Sequence, residues 1–374
     1  MERGPAEAVV VAAARGALGV DPIDHAAAAS IDDWGAALDL AERHMVLPAL
    51  LRLIQRTRPR LRPDDEARLR EGALHLTQVS LARAGELRRV ADALDAGGVG
   101  WLAVKGPVLA AMVFGGVAQR QYADLDLLVR PGALGAVAHA LRPLGYAPDP
   151  ALVHVLDWPV AVTVTFTRPG GPCPLDVQTS LSHRLGFALD QAGLWSRAQR
   201  VRVGGRDVPT LGLADTAHYL AVHGAQHGWE RLSWILDFAA VVAAPVPWGE
   251  LLTRAAGLHS RRMVLLAAAI ATDLLGAPLP PALAGPVGAE PGLTASVDRV
   301  RRRLFRDDLA EARLVAGRYA LQLTAWDDPA ATLRHVMRVI GSPTPNDFGA
   351  ARLPRFARRA YPLVRWARKA RALG

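Results

Sequence analysis

Residues 122–129 read Tyr122-Ala123-Asp124-Leu125-Asp126-Leu127-Leu128-Val129. A short apolar run of this kind fits a buried strand, predicted over Ala123–Val129. Successive strand side chains point to opposite faces, so Asp124 and Asp126 share one face about 7 Å apart while Leu125 and Leu127 share the other. Two carboxylates so placed repel, and one pKa rises unless a cation is shared between them. Oxygen-only ligands suit magnesium or manganese rather than zinc. An exposed strand edge decorated with charges would show the same Asp-x-Asp pattern, so the surroundings decide.

Upstream, Val99–Val104 reads as a short buried strand ending in Lys105-Gly106, and Pro107–Phe114 as a helix opened by proline. Of the 44 basic residues only Lys105 and Lys369 are lysines. A lysine kept at the end of an apolar strand suits a compact point charge at a close phosphate contact, where arginine's wide fork does not substitute; drift at an exposed strand end is the other reading. Downstream, Leu134–Leu144 reads as an amphipathic helix. Val160–Thr167 and Cys173–Leu181 read as strands paired across Gly170-Gly171, and Val201–Val203 with Asp207–Thr210 as a small hairpin. The second of these strands carries Asp176, a third acidic candidate in an apolar setting where an unpaired carboxylate is expensive.

Residues 98–210 thus form an α/β core with a mixed sheet, and the flanks are helical. The N-terminal region, 1–97, carries apolar residues at three- and four-residue steps and ends at Gly97-Gly98. In the C-terminal region, 211–374, Asp215 is the expected N-cap of a helix running towards Ala240, with further helices at 249–257, 261–275, 293–320 and 328–340 and a Pro/Gly-rich loop at 277–292. The expected fold class is α+β, a mixed-sheet core between two helical regions.

The chain has 374 residues, long enough for two or three domains, and half of them are apolar. The single cysteine, Cys173, excludes an intramolecular disulfide and a thiolate zinc site and fits a reducing, cytoplasmic setting. The start lacks the pattern of a signal peptide, and Met263–Leu275, interrupted by Asp273, is too short for a membrane span and reads as a buried helix. The net charge of +9 is concentrated at the end: beyond Asp347 there is no acidic residue and there are eight basic ones. Leu353, Phe356, Ala360, Leu363, Val364 and Ala367 recur there at helical spacing. This tail either docks its apolar stripe on the domain or meets an anionic membrane, nucleic acid or an acidic partner.

His223 and His227 are four apart on the predicted helix, with Glu230, Trp234 and Asp237 on nearly the same face and His218 pointing away. The pair reads either as a second metal site or as a polar seam packing the helical region against the sheet. The glutamate of an H-E-x-x-H metal helix is missing.

Taken in order, Lys105-Gly106, Phe114-Gly115, Arg120, Asp124-Leu125-Asp126-Leu127-Leu128-Val129, Leu144-Gly145-Tyr146 and Leu175-Asp176 resemble the uncharacterised nucleotidyltransferase family of the polymerase-beta-like superfamily. The segment from His218 through His223, His227 and Trp234 to Asp237 resembles that family's C-terminal helix, and the likeness covers roughly 35–245. The superfamily's Gly-Ser or Gly-Gly pair is replaced here by Lys105-Gly106-Pro107, and the later strand reads Asp-Val-Gln where relatives more often place a histidine or aromatic two residues after the aspartate.

The resemblance implies a magnesium- or manganese-dependent enzyme that moves a nucleoside monophosphate from an NTP to a hydroxyl or phosphate on a small molecule, peptide or protein. It implies two metals held by Asp124, Asp126 and Asp176, with Asp176 as general base. Gly106 would let the backbone approach a phosphate, and Lys105 and Arg120 would offset phosphate charge, Arg120 serving equally as a structural partner of Asp124. The alternative is a catalytically silent nucleotidyltransferase fold acting as a binding or assembly module.

Overall fold

The computed structural model describes residues 4–20, 25–29, 31–159, 161–182, 185–306 and 311–371. They fall into two compact units, each assembled from three stretches of chain: 1–81, 109–122 and 212–327 in one, and 82–108, 123–211 and 328–374 in the other. These units cut across the linear division at 97 and 210.

All strands of the sheet belong to the second unit. They are β1 (Trp101–Ala103), β2 (Leu125–Val129), β3 (Ala147–Pro148), β4 (Thr163–Thr167), β5 (Leu175–Gln178), β6 (Gln199–Val203) and β7 (Arg206–Thr210). Their order is β3-β4-β5-β2-β1-β7-β6. The expected α+β class with a mixed sheet is what the chain adopts: β2 runs parallel to β5 and antiparallel to β1, and β4–β5 and β6–β7 are antiparallel pairs. Every residue of β2 is buried, which is why it reads as a continuous apolar run rather than an alternating one. Val160, where the sequence pattern begins its strand, lies outside the described residues.

The helical segment of residues 82–96 is fastened to this sheet by a buried carboxylate. Glu86, 1% exposed, accepts hydrogen bonds from Tyr146 Oη at 2.8 Å and from Arg168 Nε and Nη2 at 3.1 and 2.9 Å, and it also meets Arg89. Burial by itself raises its pKa, but hydrogen bonds from Arg89, Arg168 and Tyr146 outweigh this and hold the carboxyl below its ordinary range. At the far side of β1, Thr210 Oγ1 donates to the Ala103 carbonyl at 2.6 Å.

The first unit is all helix around an apolar core. Helix Pro5–Leu18 buries the run Val9–Ala14, and helix Arg261–Leu275 buries ten of its side chains, as expected of Met263–Leu275. Asp273 is turned to the side, paired with Arg301. Among the described residues no helix is long and apolar enough to cross a membrane.

Four helical expectations are corrected. The helix starting near Asp215 does not run to Ala240: Leu213–Gln226 and Leu232–Val242 are separate, with Gly228 and Trp229 between them at φ +65° and +55°. Gly224 makes this turn possible, because a Cβ there would lie 2.4 Å from the Trp229 indole, which packs onto the helix. Gly212, not Asp215, is the N-cap; Asp215 sits buried in the first turn, where it favours the positive helix end and pairs with Arg254 at 3.1 Å. The stretch 277–292 is not all loop, since Pro281–Ala289 is a helix whose Pro281 occupies a first-turn position that needs no N–H donor. The expected helix 293–320 is two helices, Leu293–Arg303 and Glu311–Thr324; residues 307–310 lie outside the described set.

Candidate active site

Strand pairing, rather than sequence spacing, sets the central geometry. β2 and β5 are parallel neighbours in which Asp126 and Asp176 are register partners, so both side chains leave the same face of the sheet side by side. β4 pairs with β5 on its other edge and puts Thr165 opposite Asp176, whose Oδ1 accepts the Thr165 hydroxyl at 2.7 Å. Gln178, two residues beyond Asp176 and on the same face, donates Nε2 to Asp126 Oδ1 at 3.2 Å. The end of β1 supplies the cation: Lys105 Nζ lies 3.5 Å from Asp126 Oδ2, with its side chain 14% exposed. Gly106 follows at φ +58°, a left-handed conformation that glycine adopts without a Cβ penalty.

Burial, and then the charge of Asp126, raise the Asp176 carboxyl above its ordinary value; Thr165 and Lys105 act in the other direction. Two carboxyl groups thus stand side by side with Lys105 next to one of them.

Asp124 is placed differently. The strand starts at Leu125, one residue after it, and Asp124 stands half-buried in the bend before β2. Its charge is felt at Cys173, whose thiol burial pushes up to about 11, with Asp124 adding to the rise. Among the described residues no group of three His, Cys, Asp or Glu stands ready to hold a metal ion. Asp126 and Asp176 are the two carboxylates that strand pairing brings together.

Arg120 belongs to the helical unit. Its Nε and Nη2 donate to the two carboxylate oxygens of Asp237 at 2.6 and 2.7 Å, and both side chains are almost fully enclosed. His223, His227 and Trp234 do gather, with ring centroids 4.6 to 5.5 Å apart, but across the turn between two helices instead of along one face. His218 is apart from them, hydrogen-bonded to Ser260 Oγ at 2.9 Å.

The sequence marks Gln178 only as a departure from relatives, and it does not mark Thr165 or Glu86 as site residues. Gln178 was within reach, since it is two residues from Asp176 on a strand and so shares its face. Thr165 needed the β4–β5 register, and Glu86 lies 60 residues from Tyr146 in a helix rich in other charges.

The model of the family described as uncharacterised nucleotidyltransferase matches residues 30–276. The chain belongs to that family. Family membership gives nucleotidyl transfer as its activity class and a nucleotide as its substrate. No curated protein matches the chain, and no solved structure does.

Proposed function

We propose that this nucleotidyltransferase family member transfers a nucleoside monophosphate from an NTP to a hydroxyl or phosphate acceptor, with Asp126 and Asp176 at the centre of the reaction. The observation that supports this is the side-by-side placement of the two carboxylates on adjacent parallel strands, with one buried enough to be raised in pKa. Such a pair is costly in a structural role alone and gains from a bound cation. The donor set fits magnesium or manganese, because carboxylate oxygens are hard ligands.

Asp126 and Asp176 would hold the metal, with Asp124 closing on it from the bend before β2. A divalent cation bound there would neutralise phosphate charge and lower the pKa of an acceptor hydroxyl. Asp176, raised towards the proton-accepting range, takes the proton of the attacking hydroxyl. Thr165 holds Asp176 Oδ1 and so leaves Oδ2 to face the acceptor. Gln178 fixes the Asp126 carboxylate in the same way. Lys105 neutralises Asp126 in the free protein and turns to an incoming phosphate, while the left-handed turn at Gly106 lets the backbone approach a phosphate oxygen. Arg120, expected to offset phosphate charge, is held by Asp237 within the helical unit.

One observation favours the silent-module alternative: Lys105 already gives Asp126 an internal countercharge. Incubation of the full chain with each labelled NTP, magnesium and an acceptor-containing extract separates the readings. The enzyme adds the mass of a nucleoside monophosphate to an acceptor, and Asp176→Asn does not; a silent module adds none with either protein.

A further inference from the structure

The C-terminal segment presents a surface that the nucleotidyl-transfer chemistry does not use. Six of the twelve exposed large apolar side chains among the described residues lie within residues 328–374. Phe356 is 90% exposed, Leu363 69% and Trp366 54%.

Leu363 and Trp366 are outward because another face of their helix is the docked one. In helix Tyr361–Arg371, Tyr361 is fully buried, and its hydroxyl accepts from the Leu353 amide and donates to the Ala351 carbonyl at 3.1 and 2.9 Å. Arg365, one turn on, is 4% exposed and donates to the Ser342 carbonyl at 2.6 Å. Arg368 completes that face by bonding Asp347, itself fully buried. The anchoring is thus carried by polar bonds and one tyrosine ring, while Leu363 and Trp366, three residues apart, stand outward with Phe356 preceding them.

The segment's own charge is of one sign. Residues 348–374 contain eight basic residues and no acidic one, and Asp347, the last acid, is taken up by Arg368. Arg352 and Arg371 are exposed at the two ends of the segment. An apolar ridge with an aromatic at the interface and arginines around it matches the two requirements of an anionic bilayer surface: a few side chains to enter the headgroup region and cations to meet the lipid phosphates. Nucleic acid would use the cations and stack on Phe356 or Trp366, but has no use for an exposed Leu363.

We propose that residues 352–371 form a peripheral docking surface for membranes rich in anionic lipid, with Phe356, Leu363 and Trp366 inserting and Arg352 and Arg371 among the residues that hold the headgroups. The test is flotation of the full chain with phosphatidylcholine vesicles and with vesicles containing phosphatidylserine, at low and high salt. The protein is expected to float with the anionic vesicles only, and less at high salt. Phe356→Ser/Leu363→Ser/Trp366→Ser and, separately, Arg352→Gln/Arg371→Gln are each expected to weaken binding about tenfold or more without lowering the melting temperature, since all five side chains are exposed. Failure to float with anionic vesicles at low salt overturns the proposal. So does flotation that the apolar triple variant leaves unchanged, or a duplex RNA that binds more tightly than the vesicles and is indifferent to that variant.

Discussion

Two aspartates of this chain face a basic residue from the stretch 105–120, and the two pairs are built in opposite ways. In the helical unit Arg120 grips both oxygens of Asp237 at 2.6 and 2.7 Å, with both partners enclosed. In the sheet unit Lys105 approaches one oxygen of Asp126 at 3.5 Å, and a second carboxylate, Asp176, stands beside it with its pKa raised. A bidentate buried pair satisfies most of its own charge internally. The second pair has one positive charge against two carboxyl groups. That imbalance is the basis of its proposed role as a site for a cation and then a nucleotide.

The comparison can be broken most forcefully at the closed pair. Asp237→Ala leaves the Arg120 guanidinium buried without its partner and is expected to destabilise the fold by about 3–5 kcal/mol, read as a lower urea midpoint. A loss within about 0.5 kcal/mol would show that the pair is as open as the other. Gly224→Ala tests the turn that brings Asp237 into position: the new Cβ meets the Trp229 ring 2.4 Å away, and overpacking of this kind costs about 1–3 kcal/mol.

The open pair responds differently. Lys105→Ala is expected to weaken Mg-NTP binding about tenfold, which is the loss of roughly one charge-assisted hydrogen bond, while the urea midpoint moves little. Calorimetric titration decides it; unchanged affinity means that the lysine serves Asp126 alone. The smallest effect concerns pH. A carboxyl whose folded pKa is raised favours the fold below its unfolded pKa and loses that contribution as pH rises through the folded one. Asp176→Asn removes this dependence, so the variant should melt at an equal or slightly higher temperature than the parent at pH 7, and the difference should fade as the pH approaches about 4. A variant that gains stability as the pH falls would reverse the sign and contradict the burial of a charged Asp176.

Much of this was legible in the sequence. The apolar run after Asp124 reads as a buried strand and Lys105-Gly106 as the end of another, and both strands form there. The Gly-Gly turns at 170–171 and 204–205 announced their hairpins. What escaped was set by pairing across long separations. Nothing local tells that β2 lies parallel to β5, which is what makes Asp126 and Asp176 neighbours. The helix break at Gly228-Trp229 was hidden by favourable residues on both sides, and only the indole packed on Gly224 accounts for it. Arg120 found its partner 117 residues away, beyond the reach of any spacing argument.

The measurement that bears most directly on the central claim takes one variant through two assays. Asp176→Asn keeps the shape of the site and the Thr165 hydrogen bond to Oδ1 but cannot accept a proton. If the open carboxylate pair is the reacting centre, the variant retains Mg-NTP affinity within a few-fold and loses nucleotidyl transfer by about a thousandfold or more, the usual scale for a general base together with a metal ligand. Transfer at the parental rate by a variant that still binds nucleotide would falsify the assignment of Asp176 and, with it, the account of the Asp126–Asp176 pair as the active site.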